Sequence, residues 1–155
     1  MNYKIIKAES SDEIQIIREL FIEYAAELKV DLCFQGFQKE LDSLPGKYAE
    51  PEGSLLLLEA DNQTVGCVAL RKIEDGTCEM KRLYLKPDYR KYGFGRVLAE
   101  KIIEIAKEKG YKKMNLDTLE RLSAAIALYQ KLGFIKTIPY NFNPENDVVY
   151  FEKEL

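Results

Sequence analysis

The sequence contains no histidine and no tryptophan among its 155 residues. Without an imidazole, the chain has no histidine base, no histidine metal ligand and no third member for a serine-hydrolase or papain-like triad. Cysteine is also scarce. The three cysteines, Cys33, Cys67 and Cys78, are odd in number, are widely spaced and lie in or near apolar runs. Because paired metal-ligand motifs are missing, we expect no metal site and three free thiols in a reduced protein.

Long apolar runs and a strong excess of one charge are absent too. No run approaches the roughly 18 residues of a membrane span, and residues 1–7 are too short and interrupted for a signal sequence. Lysine and arginine number 23 against 26 aspartate and glutamate, which gives a net charge of -3 and no electrostatic footprint for DNA or RNA. We therefore expect a soluble, cytoplasmic protein whose partner is a small molecule or another protein.

Hydrophobic periodicity predicts one domain of alternating elements, because no repeat or linker divides the chain. Ser10 followed by Glu13 predicts a capping box, and Asp75-Gly76 predicts a hairpin turn between two strands. The predicted helices lie near 11–29, 34–43, 93–109 and 123–132. The predicted strands lie near 3–7, 55–60, 64–73, 77–85, 111–118, 134–139 and 148–154. This order predicts an α/β sheet of mixed direction with helices on both faces.

The segment from Arg90 to Arg96 carries the most specific chemistry, because it stands between a predicted strand and the start of a predicted helix. Gly93 and Gly95 let the backbone approach a ligand closely, and the free amides of the first helical turn suit a pyrophosphate. Arg90 and Arg96 add positive charge. A tight turn that needs glycine is the alternative, since G-x-G alone is a weak signal and matches neither a phosphate loop nor the dinucleotide fingerprint.

Three segments together resemble the GNAT superfamily of acetyl-CoA-dependent N-acetyltransferases: Met80–Pro87, Arg90-x-x-Gly93-x-Gly95, and Ala125–Phe134. The resemblance covers essentially the whole chain and implies a single N-acetyltransferase domain over residues 1–155. It implies the GNAT acyl-CoA N-acyltransferase fold, with a mixed central sheet of about seven strands and four helices on both faces. It also implies acetyl-CoA as co-substrate and an amine as acceptor.

The same resemblance implies where coenzyme A binds. The implied cofactor-binding residues are Leu83, Tyr84, Leu85, Arg90, Lys91, Tyr92, Gly93, Phe94, Gly95 and Arg96. In such enzymes the strand before the pyrophosphate loop splays from the next strand, and the pantetheine arm inserts between them. A backbone amide near Leu83 or Leu85 would then polarise the acetyl carbonyl, which is worth roughly 3 kcal/mol when the donor is well aimed.

The implied reaction needs an acid and a base, because the amine attacks the thioester directly and the cysteines need not act as nucleophiles. Tyr129 matches the position of the family's general acid, although a tyrosine there could instead pack in the core. Glu79 is the first candidate base, and a solvated strand residue paired with Lys81 or Arg71 is the alternative. Asp117 is the second candidate, unless it caps the next helix, and a water chain is the third.

The acceptor site is less specified. Tyr140 and Phe142, in a turn-rich loop, are the candidate pocket walls, while Lys81 and Arg82 either attract an acidic acceptor or are exposed strand charges. The family often carries asparagine seven residues before the tyrosine, and Leu122 stands at that position here. This departure leaves room for a second function, a catalytically silent acyl-CoA-binding regulatory module. Exposed edge strands also make a homodimer plausible.

Overall fold

A seven-stranded mixed sheet runs through the computed structural model, which describes residues 1–29 and 36–155. The strands lie side by side in the order β1-β2-β3-β4-β5-β7-β6. Their bounds are β1 Tyr3–Lys7, β2 Ser54–Ala60, β3 Gln63–Glu74, β4 Thr77–Leu85, β5 Lys113–Leu119, β6 Ile135–Thr137 and β7 Val148–Glu154. The predicted order of strands and α-helices along the chain and the predicted number of strands are confirmed.

The described part of the chain contains the expected α-helices: α1 Ser11–Leu28, α2 Phe37–Ser43, α3 Phe94–Glu108 and α4 Ser123–Lys131. The capping box is confirmed, because Ser10 Oγ accepts from the Glu13 amide at 3.1 Å and Glu13 Oε1 accepts from the Ser10 amide at 3.0 Å. The helix predicted from residue 34 is described only from Phe37. Its first residues, like Cys33, lie outside the described part.

Two short 3-10 helices, Gly46–Tyr48 and Pro87–Tyr92, replace segments for which only loops were predicted. The strand predicted from Tyr111 begins two residues later, because the Tyr111 amide bonds to the Ala106 carbonyl at 3.1 Å and so extends the end of α3. The predicted strand 134–139 is shorter, Ile135–Thr137. Phe134 leaves the strand because its amide donates to the Tyr129 carbonyl at 3.0 Å.

The first half of the sheet is antiparallel, since β1 pairs with β2, β2 with β3 and β3 with β4 in that direction. The next pair is different: β4 and β5 run parallel, and their pairing extends only from Thr77 opposite Lys113 to Glu79 opposite Asn115. Beyond that point both strands continue, to Leu85 and Leu119, without pairing to one another. The sheet therefore splits in the middle.

Each face of the sheet is covered by its own apolar cluster. On one face α3 and α4 pack through buried residues that include Leu98, Ile102, Met114, Phe134 and Phe151. On the other face α1 and α2 pack through residues that include Ile17, Leu20, Phe21, Leu41 and Leu57. Because side chains along a strand alternate between the two faces, each strand side chain near the split faces one of these two clusters.

Neither a spanning helix nor a metal-ligand cluster is found in the part of the chain that the structure describes. No helix there is long and apolar enough to cross a membrane. No group of three or more cysteine, aspartate or glutamate side chains there is arranged to hold a metal ion.

Candidate active site

The split between β4 and β5 opens into a cleft. Its walls come from the unpaired ends of both strands, from the end of α1, from α4 and from the loop between β6 and β7. The lining residues are Tyr24, Leu28, Met80, Lys81, Arg82, Leu83, Asp117, Thr118, Leu119, Leu122, Ala125, Tyr129, Asn143 and Glu145. Tyr129 and Leu83, two residues predicted to serve catalysis and the cofactor, thus share one cavity.

A bulge shapes the β4 wall of this cleft. Cys67 pairs with Tyr84 while Ala69 pairs with Lys81, so that one residue of β3 faces two residues of β4, Arg82 and Leu83. An extra residue of this kind lies outside the regular ladder and bends the strand. The bulge lies in the part of β4 that no longer pairs with β5, where the cleft opens.

The two basic residues beside the bulge are not exposed strand charges. Arg82 is only 4% exposed and Lys81 is half-buried. Burial, followed by repulsion from Arg82, lowers the pKa of the Lys81 ammonium. Of the two interpretations of these residues, the one as exposed charges is wrong, because the α1 and α2 face covers this part of β4.

Tyr129 lies in the cleft wall formed by α4. Its ring is nearly buried and packs edge-on against Phe134, with ring centroids 5.9 Å apart, and against Phe151 at 6.4 Å. Both predicted roles therefore coexist, since the residue packs in the core and also lines the cavity. Burial raises the pKa of the phenol, so the hydroxyl keeps its proton at neutral pH and can donate it.

Glu79 is the last residue of β4 that pairs with β5, and it is 1% exposed. Its Oε1 accepts from Arg71 Nε at 2.8 Å, and its Oε2 accepts from the Tyr140 hydroxyl at 2.6 Å. The predicted pairing with Arg71 is present, but the carboxylate is buried and not solvated. Burial and the negative charge of Glu79 raise the pKa of the Tyr140 phenol, which therefore stays a donor.

Asp117 lies on β5 and lines the cleft directly. Its Oδ2 accepts from Asn141 Nδ2 at 2.9 Å, and Asn141 Oδ1 in turn accepts from the Tyr150 hydroxyl at 3.0 Å. Consecutive residues Tyr140 and Asn141 thus bind carboxylates on opposite sides of the split. Sequence reasoning missed Asn141, although its place in a turn-rich loop next to a candidate pocket tyrosine was a usable signal.

The loop between β6 and β7 contributes polar groups rather than an aromatic wall. Phe142, predicted to line the acceptor pocket, is 76% exposed and is not among the cleft-lining residues. Asn143 and Glu145 line the cleft instead. The prediction for Phe142 is wrong because the loop is anchored through Tyr140 and Asn141, and the next side chain along points to solvent.

The predicted pyrophosphate site is formed by the start of α3. Gly93 has φ of 77°, the left-handed conformation that glycine adopts without a Cβ penalty, and no side chain caps the helix. A Cβ on Gly95 would meet only ordinary contacts, 3.6 Å to Leu85 and 3.7 Å to Leu128. Phe94 is buried against Tyr92, so its backbone and not its ring is available to a ligand.

The two arginines of that motif are engaged by carboxylates. Arg90 Nη1 donates to Glu27 Oε1 at 2.6 Å, and its Nε donates to the Leu85 carbonyl at 2.9 Å. Arg96 Nε donates to Glu100 Oε1 at 3.0 Å, one turn along α3. The predicted positive charge is present, but it is partly neutralised within the protein.

The other predicted cofactor residues surround the same strand end. Tyr84 turns to the α1 face, where its hydroxyl donates to Glu23 Oε1 at 3.3 Å, so only its backbone can face the cleft. The Lys91 ammonium lies 5.5 Å from the Tyr92 ring centroid. Leu122, in place of the family's asparagine, lines the cleft and gives α4 no side-chain cap.

Comparison with known proteins places these features in a family. Residues 15–134 match the family model described as the acetyltransferase (GNAT) family. The chain is 37% identical over 156 residues to an uncharacterised N-acetyltransferase of Schizosaccharomyces pombe, covering 99% of this chain and 96% of that protein. It is 34% identical over 218 aligned positions to an uncharacterised N-acetyltransferase of Dictyostelium discoideum, with both chains fully covered.

Solved structures share the fold. An acetyltransferase from Streptococcus agalactiae superposes with a TM-score of 0.81 at 22% identity, covering 99% of this chain and 98% of that one. A PaiA N-acetyltransferase from Thermoplasma acidophilum, solved in complex with coenzyme A, superposes with a TM-score of 0.75 at 21% identity over both full chains.

Proposed function

Because this chain belongs to the GNAT family and is an N-acetyltransferase, we propose that it moves the acetyl group of acetyl-CoA to a primary amine by direct attack. One observation carries the proposal: β4 and β5 separate beside the start of α3, and Tyr129 lies in the cleft so formed. An extended arm fits between separated strands, and an anion fits at a helix start.

Coenzyme A would bind along the β4 side of the split. The backbone from Gly93 to Arg96 would hold the pyrophosphate, because the first-turn amides of α3 have no side-chain cap. The backbone near Leu83 would hold the pantetheine arm and place the thioester in the cleft. The acceptor would enter from the α1 and α2 side, where Asp117 and Lys81 line the wall.

The transfer itself requires balanced proton movements. The neutral amine nitrogen attacks the carbonyl carbon, and the tetrahedral intermediate then collapses with cleavage of the carbon–sulfur bond. The nitrogen of the intermediate releases its second proton to water, and Tyr129, after giving its phenolic proton to the departing thiolate, recovers one from solvent. A carboxylate takes the proton that the ammonium loses. No covalent enzyme intermediate forms, so Cys67 and Cys78, both buried, are not needed.

We propose Asp117 as the proton acceptor in preference to Glu79, which reverses the order expected from the sequence. Asp117 lines the cleft, and Asn141 binds one of its oxygens. Glu79 is almost fully buried, and each of its oxygens already accepts a strong hydrogen bond. Glu79 then serves as the anchor that holds the Tyr140 loop against β4.

Thiol release from acetyl-CoA over a broad panel of amines tests the function, with mass spectrometry of the acetylated product. Tyr129→Phe should lower kcat by about 10²- to 10⁴-fold, the usual contribution of a general acid. Tyr111→Phe is the matched control, because that buried phenol donates to the Glu52 carbonyl, away from the cleft. Saturable coenzyme A binding without amine-stimulated thiol release would instead favour a silent acyl-CoA-binding module.

A further inference from the structure

The bulged residue Arg82 has an unusual backbone. Its φ is 60°, in the left-handed region, and it is neither glycine nor in a turn. A side chain with a Cβ is disfavoured there, and such strain is retained only where surrounding contacts hold it. The contacts that hold the Arg82 backbone in this conformation are made by its side chain and by its carbonyl.

The Arg82 guanidinium binds Glu40 of α2 through two hydrogen bonds, Nε to Oε2 at 3.1 Å and Nη2 to Oε1 at 3.0 Å. It also lies over two rings, 5.6 Å from the Tyr24 centroid and 5.4 Å from the Phe37 centroid. The Arg82 carbonyl accepts from the Cys67 thiol at 3.4 Å. The side chain and the backbone of the bulge are therefore fixed together.

This fixed residue belongs to the reacting part of the molecule. Arg82 and Leu83 both line the cleft, and the amide proposed to polarise the acetyl carbonyl follows directly after Arg82. Tyr24, which the guanidinium contacts, lines the opposite wall. The ion pair thus connects the thioester wall to α2 and to the acceptor side.

We propose that Arg82, held by Glu40, is a positioning residue that sets the direction of the bulge amide toward the thioester carbonyl. The inference rests on the transferase function proposed above. Stability alone does not call for such a residue, because glycine adopts a positive φ freely and a buried ion pair is often replaceable by apolar groups without loss. The Arg82–Glu40 pair instead fixes the geometry of the bulge, because a catalytic group misplaced by about 1 Å can lower the rate 10²-fold.

The test compares Arg82→Gly, which can adopt the same backbone conformation but loses the side-chain contacts that hold it, with Glu40→Gln, which removes one charge. Both variants should lower kcat by at least about tenfold while the Kd for coenzyme A, measured by calorimetry, stays within about twofold. Lys109→Met is the matched control, because that mostly buried ammonium pairs with Glu50 far from the cleft and should leave kcat unchanged.

A second readout does not depend on turnover. In acetyl-CoA labelled with ¹³C at the carbonyl, binding to the wild type should shift the carbonyl resonance through the bulge amide, and Arg82→Gly should abolish the shift. Wild-type kcat in Arg82→Gly, or an unshifted carbonyl in the bound wild type, overturns the inference. If Arg82→Gly does not fold, Glu40→Gln decides by the same two measurements. Absent turnover with a normal carbonyl shift defeats the transferase function alone.

Discussion

Glu27, on the last turns of α1, holds Arg90 of the predicted pyrophosphate loop in a two-pronged ion pair, with Oε1 accepting from Nη1 at 2.6 Å. Hydrogen bonds from Arg90 lower the pKa of the Glu27 carboxyl, so the pair is ionised at neutral pH. An internal carboxylate therefore competes with any bound phosphate for this guanidinium. The pair also ties α1 to the loop.

Glu27→Gln should tighten coenzyme A binding by about two- to fivefold, because the surface ion pair that is lost is worth no more than about 1 kcal/mol. The Kd is measured by calorimetry at low salt, where the gain is largest. Glu23→Gln is the control, since Glu23 lies one turn earlier on α1 and pairs with Lys86. Equal affinity in wild type and Glu27→Gln would show that Arg90 does not contact the pyrophosphate.

Gly95→Ala separates ligand approach from folding. A Cβ at Gly95 meets only van der Waals contacts, so the fold should persist, while coenzyme A binding should weaken at least about tenfold because the methyl group keeps the pyrophosphate from the backbone. At Gly66 a Cβ would lie 2.5 Å from a Leu85 methyl group and 2.8 Å from the Tyr84 carbonyl. Gly66→Ala should therefore lower the melting temperature, in contrast to Gly95→Ala. Normal coenzyme A binding by Gly95→Ala would refute the assignment of the pyrophosphate to this helix start.

Cys78 predicts a loss of stability in alkali. Burial raises the pKa of its thiol from about 9 to about 12, so between these values the unfolded chain has lost a proton that the folded chain keeps. Unfolding then becomes easier as pH rises, by up to about 1.4 kcal/mol per pH unit for this proton. The free energy of unfolding, measured with urea at several values between pH 9 and 11, should fall less steeply with pH in Cys78→Ala than in wild type. Equal slopes would contradict the prediction.

Local signals were sufficient for most of the fold. The capping box at Ser10, the Asp75-Gly76 hairpin and the alternation in 148–154 act over a few residues, and the structure has these elements as predicted. The 3-10 helix Pro87–Tyr92 escaped prediction because turn residues there do not distinguish a loop from a short helix.

The site depended on pairs that no local pattern reveals. An exposed strand charge was one of two interpretations of Arg82, and the residue is buried because Glu40 lies opposite it, 42 residues away in sequence. Arg90 was expected to be available to an anion, and Glu27, 63 residues away, already binds it. Gly93, Gly95 and Tyr129 could be placed from their spacing in the sequence, because the local strand-turn-helix geometry fixes their positions. The partners of charged side chains are set by tertiary packing, which the spacing does not show.

Asp117 and Glu79 make opposite predictions for the base. Asp117→Asn should lower kcat/KM by about 10²-fold with little change in melting temperature, because it removes a half-buried proton acceptor from the cleft wall. Glu79→Gln should chiefly lower the melting temperature, because Arg71 loses its ionic partner and Tyr140 a stronger acceptor. The pH dependence of kcat/KM decides: an acid limb that persists in Glu79→Gln and vanishes in Asp117→Asn supports Asp117, and the reverse pattern assigns the base to Glu79.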